Sequence, residues 1–449
     1  MKPIFLLLFC LILFEAKLKP SLTEFRFNSL QTNVSIPDFN GAQTHPLFVI
    51  IPVRGLPSKA DSVFGIERVQ LAIKHPRISD IKVELRNPQG LVVWITNRNG
   101  NDGANYNQTV FSQNGFRGPI SEGTPPFTGH YIPDGQLANF NQSSNPNGDW
   151  TLIIYDLKQG IDGVFEDCSL FFSNNPAVRS LGPCSVKTPQ GCQCPNGKKN
   201  CTLLPDLVLN EAKTKQDFVE TFNQSTQLGS IRFAVSVFNK GFGPLELRGD
   251  NKWMCGNQQV KGSVPCPDGQ YARQGLEQVI YHFDGKRITT SKRMSGTIAY
   301  DARPGHEHFH ADYFVNYTLF KPIRNDTTKW KIIGKGTKAS FCIWDLGYCR
   351  DDIKNCMDHT GKIYTPNNMS NYGLGTYIDC NESLQGLSVG GEDLYGSAYE
   401  GQTIMLPKGT KNGQYFLKIE VDPYNKFTES NETNNTFFLP INLKRQKPI

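Results

Sequence analysis

Short runs of alternating apolar and polar residues, each closed by a turn signal, recur between residues 22 and 174, and no long segment with a 3.6-residue apolar period breaks them. Val69 to Ile73 and Ile81 to Leu85 alternate, Asn87-Pro88-Gln89-Gly90 reads as a turn, and Leu91 to Ile95 resumes as strand. Gly148 to Asp156 and Cys168 to Phe172 follow in the same manner. Such a chain buries apolar surface by pairing strands into sheets and packing sheet on sheet, so the expected fold class is all-β, an antiparallel sandwich. From Leu204 the pattern returns: Leu207 to Leu209, Ile231 to Phe238, Glu277 to Phe283, Phe309 to Phe320, Trp330 to Ile333, Gln414 to Val421 and Phe437 to Leu443 read as strands. Residues 175–203 crowd Pro, Gly, Ser, Lys and four cysteines without apolar period, the mark of a disulfide-tied linker. The expected organisation is a β-sandwich over 22–174, a linker over 175–203 and a second β-sandwich with long loops over 204–443. Its longest irregular stretch, Cys349 to Gln402, is a functional candidate, because long loops in compact domains usually carry function.

The amino terminus points to export. Met1-Lys2-Pro3 leads into eleven apolar residues, Ile4 to Phe14, too short to span a bilayer and fitting a secretory signal peptide over 1–20 with cleavage near Ala16. No later segment is apolar enough for a membrane span. Eleven Asn-x-Ser/Thr sequons, at Asn33, Asn107, Asn141, Asn200, Asn223, Asn316, Asn325, Asn368, Asn381, Asn431 and Asn434, fit a secreted glycoprotein. Eleven cysteines beyond Cys10 are then expected mostly as disulfides. Spacing suggests Cys255–Cys266, Cys342–Cys349 and Cys356–Cys380, and leaves Cys168, Cys184, Cys192, Cys194 and Cys201, an odd set with one thiol over. A net charge of +6 over 449 residues, with only the small basic tail Lys444, Arg445 and Lys447, excludes the basic block that a nucleic-acid partner requires.

Chemistry concentrates at Gly305-His306-Glu307-His308-Phe309-His310, which leads into an aromatic and β-branched run of strand composition. Residues two apart on a strand share a face, so three imidazoles would converge. Imidazole suits copper, zinc, iron and nickel, and an all-nitrogen set without thiolate is compatible with tetragonal Cu(II) or catalytic zinc. Three exposed histidines on an edge strand are the plain alternative.

Two resemblances organise these observations. Ala72, His75, Asp80, Leu85, Pro88 and Gly90, with Gly148-Asp149-Trp150-Thr151-Leu152 and Asp156, resemble the P domain (homo B domain) of subtilisin-like proprotein convertases, a jelly-roll sandwich. No stretch has room for the protease itself, so this module is read as accessory. Residues 204–443 resemble the catalytic domain of lysyl oxidase, a copper amine oxidase. The collinear motifs are Leu204-Pro205-Asp206-Leu207-Val208, Arg232-Phe233, Asn239-Lys240-Gly241, the histidine run and Lys338-Ala339-Ser340-Phe341-Cys342. Gln385-Gly386-Leu387-Ser388, Asp393-Leu394-Tyr395-Gly396, Gly413 to Lys418 and Glu429 to Asn435 continue the series.

That resemblance implies that His306, His308 and His310 bind copper (Cu2+), and that Lys338 and Tyr395 are cross-linked into lysine tyrosylquinone. It implies oxidative deamination of peptidyl lysine, in extracellular or cell-wall protein, or of small primary amines, by O2, with release of aldehyde, hydrogen peroxide and ammonia. Lys338 must be substantially deprotonated to react, which requires a desolvated pocket or a neighbouring positive charge. Asp312, close behind the ligands, is the candidate general base, with a solvated strand residue or a partner to a ligand histidine as its other readings. Tyr372 stands in a similar Tyr-Gly context, but only Tyr395 follows Gln-Gly-Leu-Ser. The sequence departs from the animal pattern at Arg303-Pro304-Gly305, where tryptophan and cysteine are replaced, which leaves Cys356 without its usual partner and suggests Cys380 in its place. Two other functions compete: an extracellular copper-binding interaction protein without the quinone, and, more remotely, a zinc hydrolase.

Overall fold

The computed structural model describes residues 24–41, 44–179, 182–222, 228–303, 306–323, 329–338 and 340–446. The expected signal peptide and the sequons Asn223 and Asn325 lie outside the described residues.

The first sandwich is built from two sheets. One runs Glu24–Asn28, Gly163–Ser173, Gly65–Lys74, Tyr106–Ser112, His130–Tyr131, with Val34–Ile36 also paired to Gly163–Ser173. The other runs Leu47–Val53, Gly148–Asp156, Ile81–Arg86, Val92–Asn97. Sheet neighbours are distant in sequence, so the chain crosses repeatedly between the layers, as in a jelly roll. The period-two pattern decides which side chains fill the space between: Ile81, Val83 and Leu85 are fully buried in the core, with Trp150, Phe140 and Phe172. The Trp150 ring meets Phe140 and Phe172 edge-on at 4.8 and 5.5 Å, and its Nε1 donates to the Pro146 carbonyl at 2.8 Å. Trp150→Ala should therefore lower the unfolding free energy by about 3–5 kcal/mol, read by chemical denaturation.

His75, Asp80 and Asp156 prove to be a structural lock. The Arg77 amide donates to His75 Nδ1 at 3.1 Å, which fixes the tautomer, and Nε2 then donates to Asp156 at 3.2 Å and to the Ile161 carbonyl at 3.1 Å. Asp80 accepts from Arg77 at 2.6 Å. The sequon Asn141 is also structural: its amide nitrogen donates to the Ile66 and Ala177 carbonyls, each at 2.8 Å, and its oxygen accepts from the Ile66 amide at 2.9 Å. A buried side chain bonded in this way carries no glycan in the folded protein.

The second unit has more sheets. An eight-stranded sheet runs Gln258–Val260, Leu245–Cys255, Arg273–Phe283, Ile288–Asp301, His308–Asp312, Ser340–Phe341, with Cys201–Leu203 and Gln385–Leu387 attached. Against it lie Leu207–Leu209, Val235–Asn239, Gly391–Tyr395, Gly347–Tyr348 and, in another four-stranded sheet, Lys331–Lys335, Val315–Lys321, Gly413–Val421, Thr436–Leu443. A three-stranded sheet, Phe218–Thr221, Ser230–Phe233, Thr403–Met405, completes it. The single strand expected over Phe309 to Phe320 is two strands in two sheets, because Tyr313 adopts a left-handed φ of 63° that no strand continues through. Ile288–Asp301, too polar to signal itself, is a strand of 14 residues.

Five disulfides are present among the described residues: Cys184–Cys192, Cys194–Cys201, Cys255–Cys266, Cys342–Cys380 and Cys349–Cys356. The expected Cys342–Cys349 and Cys356–Cys380 pairs are exchanged, because the loop after Trp344 folds back and returns Cys380 to the strand end at Cys342. Cys168 is the unpaired thiol among the described residues, buried in the first core. No helix among the described residues is long and apolar enough to cross a membrane.

The two units meet through side chains of both. Trp94 stands edge-on to Trp344 at 4.9 Å, in a small apolar cluster with Cys342, Leu346 and Cys380. Around it, Gln136 donates to the Leu346 carbonyl at 3.3 Å, Arg350 to the Gln113 carbonyl at 2.6 Å, and Lys213 pairs with Glu122.

Candidate functional site

His308 and His310 project from one face of the strand His308–Asp312, but His306 precedes it. Glu307 takes a left-handed φ of 53°, and this turn, rather than strand alternation, brings the third imidazole over. His310 Nε2 lies 3.0 Å from His308 Nε2 and 3.4 Å from His306 Nδ1, and one nitrogen from each ring falls within 4.8 Å of the others. Two nitrogens each about 2.0 Å from one ion stand roughly 2.8–3.3 Å apart at coordination angles between square and tetrahedral, so the cluster fits a transition metal.

The imidazoles also have the protonation state a metal requires. Burial, then the Lys338 charge, pushes His306 down to about 2. Burial pushes His310 down to about 4 and His308 well below its ordinary value. All three are neutral at physiological pH and carry free lone pairs.

Asp301, which the sequence reading did not single out, holds two of them. Its Oδ2 accepts from His310 Nδ1 at 3.1 Å and lies 3.4 Å from His306 Nδ1, while the Arg303 guanidinium grips both carboxylate oxygens. Burial opposes ionisation here, but Arg303 and the two histidines hold the Asp301 carboxyl well below the usual range. A carboxylate on His310 Nδ1 leaves Nε2 as the metal-facing nitrogen.

Lys338, just before the strand Ser340–Phe341, and Tyr395, the last residue of the strand Gly391–Tyr395, meet. Lys338 is 5% exposed, its Nζ has no hydrogen-bond partner among the described residues, and it lies 5.2 Å from the centroid of the Tyr395 ring and 5.1 Å from that of Phe341. Burial, then Arg303, brings its ammonium down to about 8. Gly401, at φ 81°, closes over it: a Cβ there would lie 2.8 Å from the Lys338 Cβ. The Tyr395 hydroxyl donates to the Cys342 carbonyl, and its ring stands edge-on to Phe341 at 4.9 Å. Burial, then Asp393, pushes the phenol well above its ordinary value. Tyr372 is engaged elsewhere, donating to the Cys349 carbonyl at 2.8 Å.

Asp312 is not free to act as a base. Arg273 and, at 2.6 Å, the Thr297 hydroxyl both donate to the same Asp312 oxygen. Asp393 has the properties sought there. Two residues before Tyr395 on the strand Gly391–Tyr395, it shares that residue's face; both its oxygens are buried without hydrogen-bond partners among the described residues, and burial raises it well above the usual carboxylate range while Lys338 pulls it down. The signal for it was its place two residues before Tyr395.

Comparison with known proteins matches two parts of the chain to known families. Residues 288–447 match the lysyl oxidase family, and residues 66–172 match the proprotein convertase P-domain. The second unit carries a lysyl oxidase domain. Over 131 residues, 29% of this chain, it is 31% identical to human protein-lysine 6-oxidase, of which the match covers 25%. It is 30% identical to the pig protein-lysine 6-oxidase over 41% of that protein, and 30% identical to human lysyl oxidase homolog 3 over 14% of that one. The alignable part is thus less than half of each relative. A crystal structure of the serine protease of Aeromonas sobria aligns over 34% of this chain and 27% of that one at 14% identity and a TM-score of 0.20, too low to bear on the lysyl oxidase domain.

Proposed function

We propose that this chain is a secreted, copper-dependent amine oxidase that deaminates peptidyl lysine or other primary amines to aldehydes, releasing hydrogen peroxide and ammonia. Its first domain would span 22–174, its linker 175–203 and its catalytic domain 204–443. One observation carries the reading: a buried lysine amine without a hydrogen-bond partner among the described residues lies 5.2 Å from the centroid of a buried tyrosine ring, and its charge acts on His306 and His310 of the three converging imidazoles. A binding protein has no use for an unpartnered buried ammonium, which costs stability. The five disulfides suit an oxidising, extracellular setting.

Copper held by His306, His308 and His310 would supply oxidation of the Tyr395 phenol by O2, and the quinone made from Tyr395 and Lys338 would accept two electrons from the substrate amine. The chain's own residues do the rest. Asp301 holds His310 in one tautomer. The packing of Gly401 and Phe341 keeps water from Lys338 Nζ, so that a useful fraction of the amine is neutral near pH 8. Asp393, on the same strand face as Tyr395 and interacting with Lys338, would take the proton from the substrate carbon.

Phenylhydrazine labelling followed by peptide mapping tests the assignment: one labelled peptide should join the segments of Lys338 and Tyr395, and separate, unlabelled segments would end it. Metal analysis finding zinc alone would favour a hydrolase instead. Asp301→Asn should weaken copper binding about 10–100-fold in chelator competition, because it releases the histidines without removing a ligand.

A further inference from the structure

The outward face of the first domain is not solvated where it meets the histidines. On Ile81–Arg86, residues 81, 83 and 85 fill the core, so Lys82 and Glu84 point away from it. The register places Tyr155 opposite Lys82 and Trp94 opposite Glu84 on the flanking strands, which gathers all four on one patch. The patch forms one wall of a cleft of about 210 Å³ whose other wall includes His306 and His308. Lys82 is 3% exposed and Glu84 8%, rare burial for such side chains. The Lys82 Nζ pairs with Glu84 at 2.7 Å and lies 4.6 Å from the centroid of the Trp94 ring and 5.3 Å from that of Tyr155. Two aromatic faces and a carboxylate around one ammonium form an alkylammonium cage. Glu307 and Asp379 also line the cleft, so its walls carry three carboxylates against a single lysine.

We infer that the first domain is part of the substrate site: Glu84, Trp94 and Tyr155 form a cage for the ammonium of an unbranched primary alkylamine, a cage that Lys82 fills and an incoming substrate amine takes over. This inference rests on the amine-oxidase reading and adds to it a source of specificity in the accessory domain. An ammonium on a flexible, unbranched stem fits because Lys82 is itself such a group. The incoming amine enters the cleft that Glu84, Trp94 and Tyr155 line and displaces the Lys82 ammonium from Glu84.

The test uses metal-free, full-length protein, so that binding is read without turnover. Calorimetric titration with n-butylammonium chloride should show binding, and titration with n-butanol none. Lys82→Ala should tighten n-butylammonium binding and Glu84→Gln weaken it, each by about tenfold, the scale of one desolvated cation contact. Opposite signs from two neighbouring substitutions cannot arise from a common folding defect. Equal affinity in both variants and the unaltered chain, or equal affinity for n-butanol, overturns the cage. With copper restored, KM for n-butylamine should fall in Lys82→Ala and rise in Glu84→Gln. Peroxide release with KM unmoved sinks the cage and leaves the oxidase standing, whereas cage binding without peroxide release sinks the oxidase alone.

Discussion

A Lys338→Met chain is expected to lose amine-dependent peroxide release by at least ~10³-fold and, at the same time, to become more stable. The loss follows because methionine cannot form the cross-link to Tyr395. The gain follows because Lys338 brings an ammonium into the interior with no hydrogen bond to its Nζ among the described residues; replacing it with an apolar side chain of similar length should add about 1–3 kcal/mol in the metal-free protein at pH 7. The pH dependence has a definite sign. Burial brings the folded-state ammonium down to about 8, while the unfolded chain keeps its ordinary, higher value. Below pH 8 both states hold the proton and the full burial cost is present. As pH rises beyond that, the folded state sheds the proton before the unfolded state does, so the unsubstituted protein gains stability and the advantage of Lys338→Met fades above pH 10. Chemical denaturation of metal-free protein at pH 7 and pH 10 reads both limbs. A variant no more stable than its parent at pH 7 would mean that the amine is solvated, and the proposed reactivity would go with it.

Asp393→Asn is expected to lower kcat by about 10²–10⁴-fold, the range for removal of a positioned general base, with the Lys338–Tyr395 cross-link still detectable by peptide mapping. An amine deuterated on its reacting carbon should then show a larger isotope effect than with the parent enzyme, because carbon–hydrogen cleavage becomes limiting. Asp312→Asn is the contrast. With Asp312 held by Arg273 and Thr297, its replacement should lower thermal stability and leave the isotope effect unchanged. If the two variants exchanged these outcomes, the base would be Asp312.

The fold was legible wherever side-chain alternation reported burial. Gln414 to Val421 reads as a strand in the sequence and Gly413–Val421 is one, its residues alternating between buried and less buried because one face meets the core. Where burial did not follow that alternation, the reading failed. Ile288–Asp301 is held in place by pairing on both sides rather than by apolar content, so its polar composition gave no signal. The break at Tyr313 and the turn at Glu307 are backbone events in residues whose side chains do not announce them. Cysteine spacing favoured nearest neighbours and found Cys255–Cys266, a pair within one local excursion, but missed Cys342–Cys380, whose closure depends on the path of the intervening loop.

At the candidate centre, the histidine run stood out through its every-second-residue spacing, while Lys338 and Tyr395 were reached only through the collinear lysyl oxidase motifs. In the fold the Lys338 Nζ lies 5.2 Å from the centroid of the Tyr395 ring. Asp301 and Asp393 were missed because carboxylates are frequent and their significance lies in their surroundings, a guanidinium and two imidazoles for one and an unpartnered interior for the other. The joining of the two units left one faint trace, tryptophan at position 94 in a strand that turns Val93 and Ile95 inward.

The segment between the units has a bearing on how the protein would survive proteolysis. Cys184–Cys192 and Cys194–Cys201 each close a short loop upon itself, and the stretch between them is hydrogen-bonded to the second unit through Gln193 and Asn371. A peptidase that cleaves inside either loop therefore leaves its fragments clasped by sulfur, and the two halves migrate as one species until a reductant is added. A maturation cut there would give the molecule a new chain end beside the interface without setting its amino-terminal half adrift.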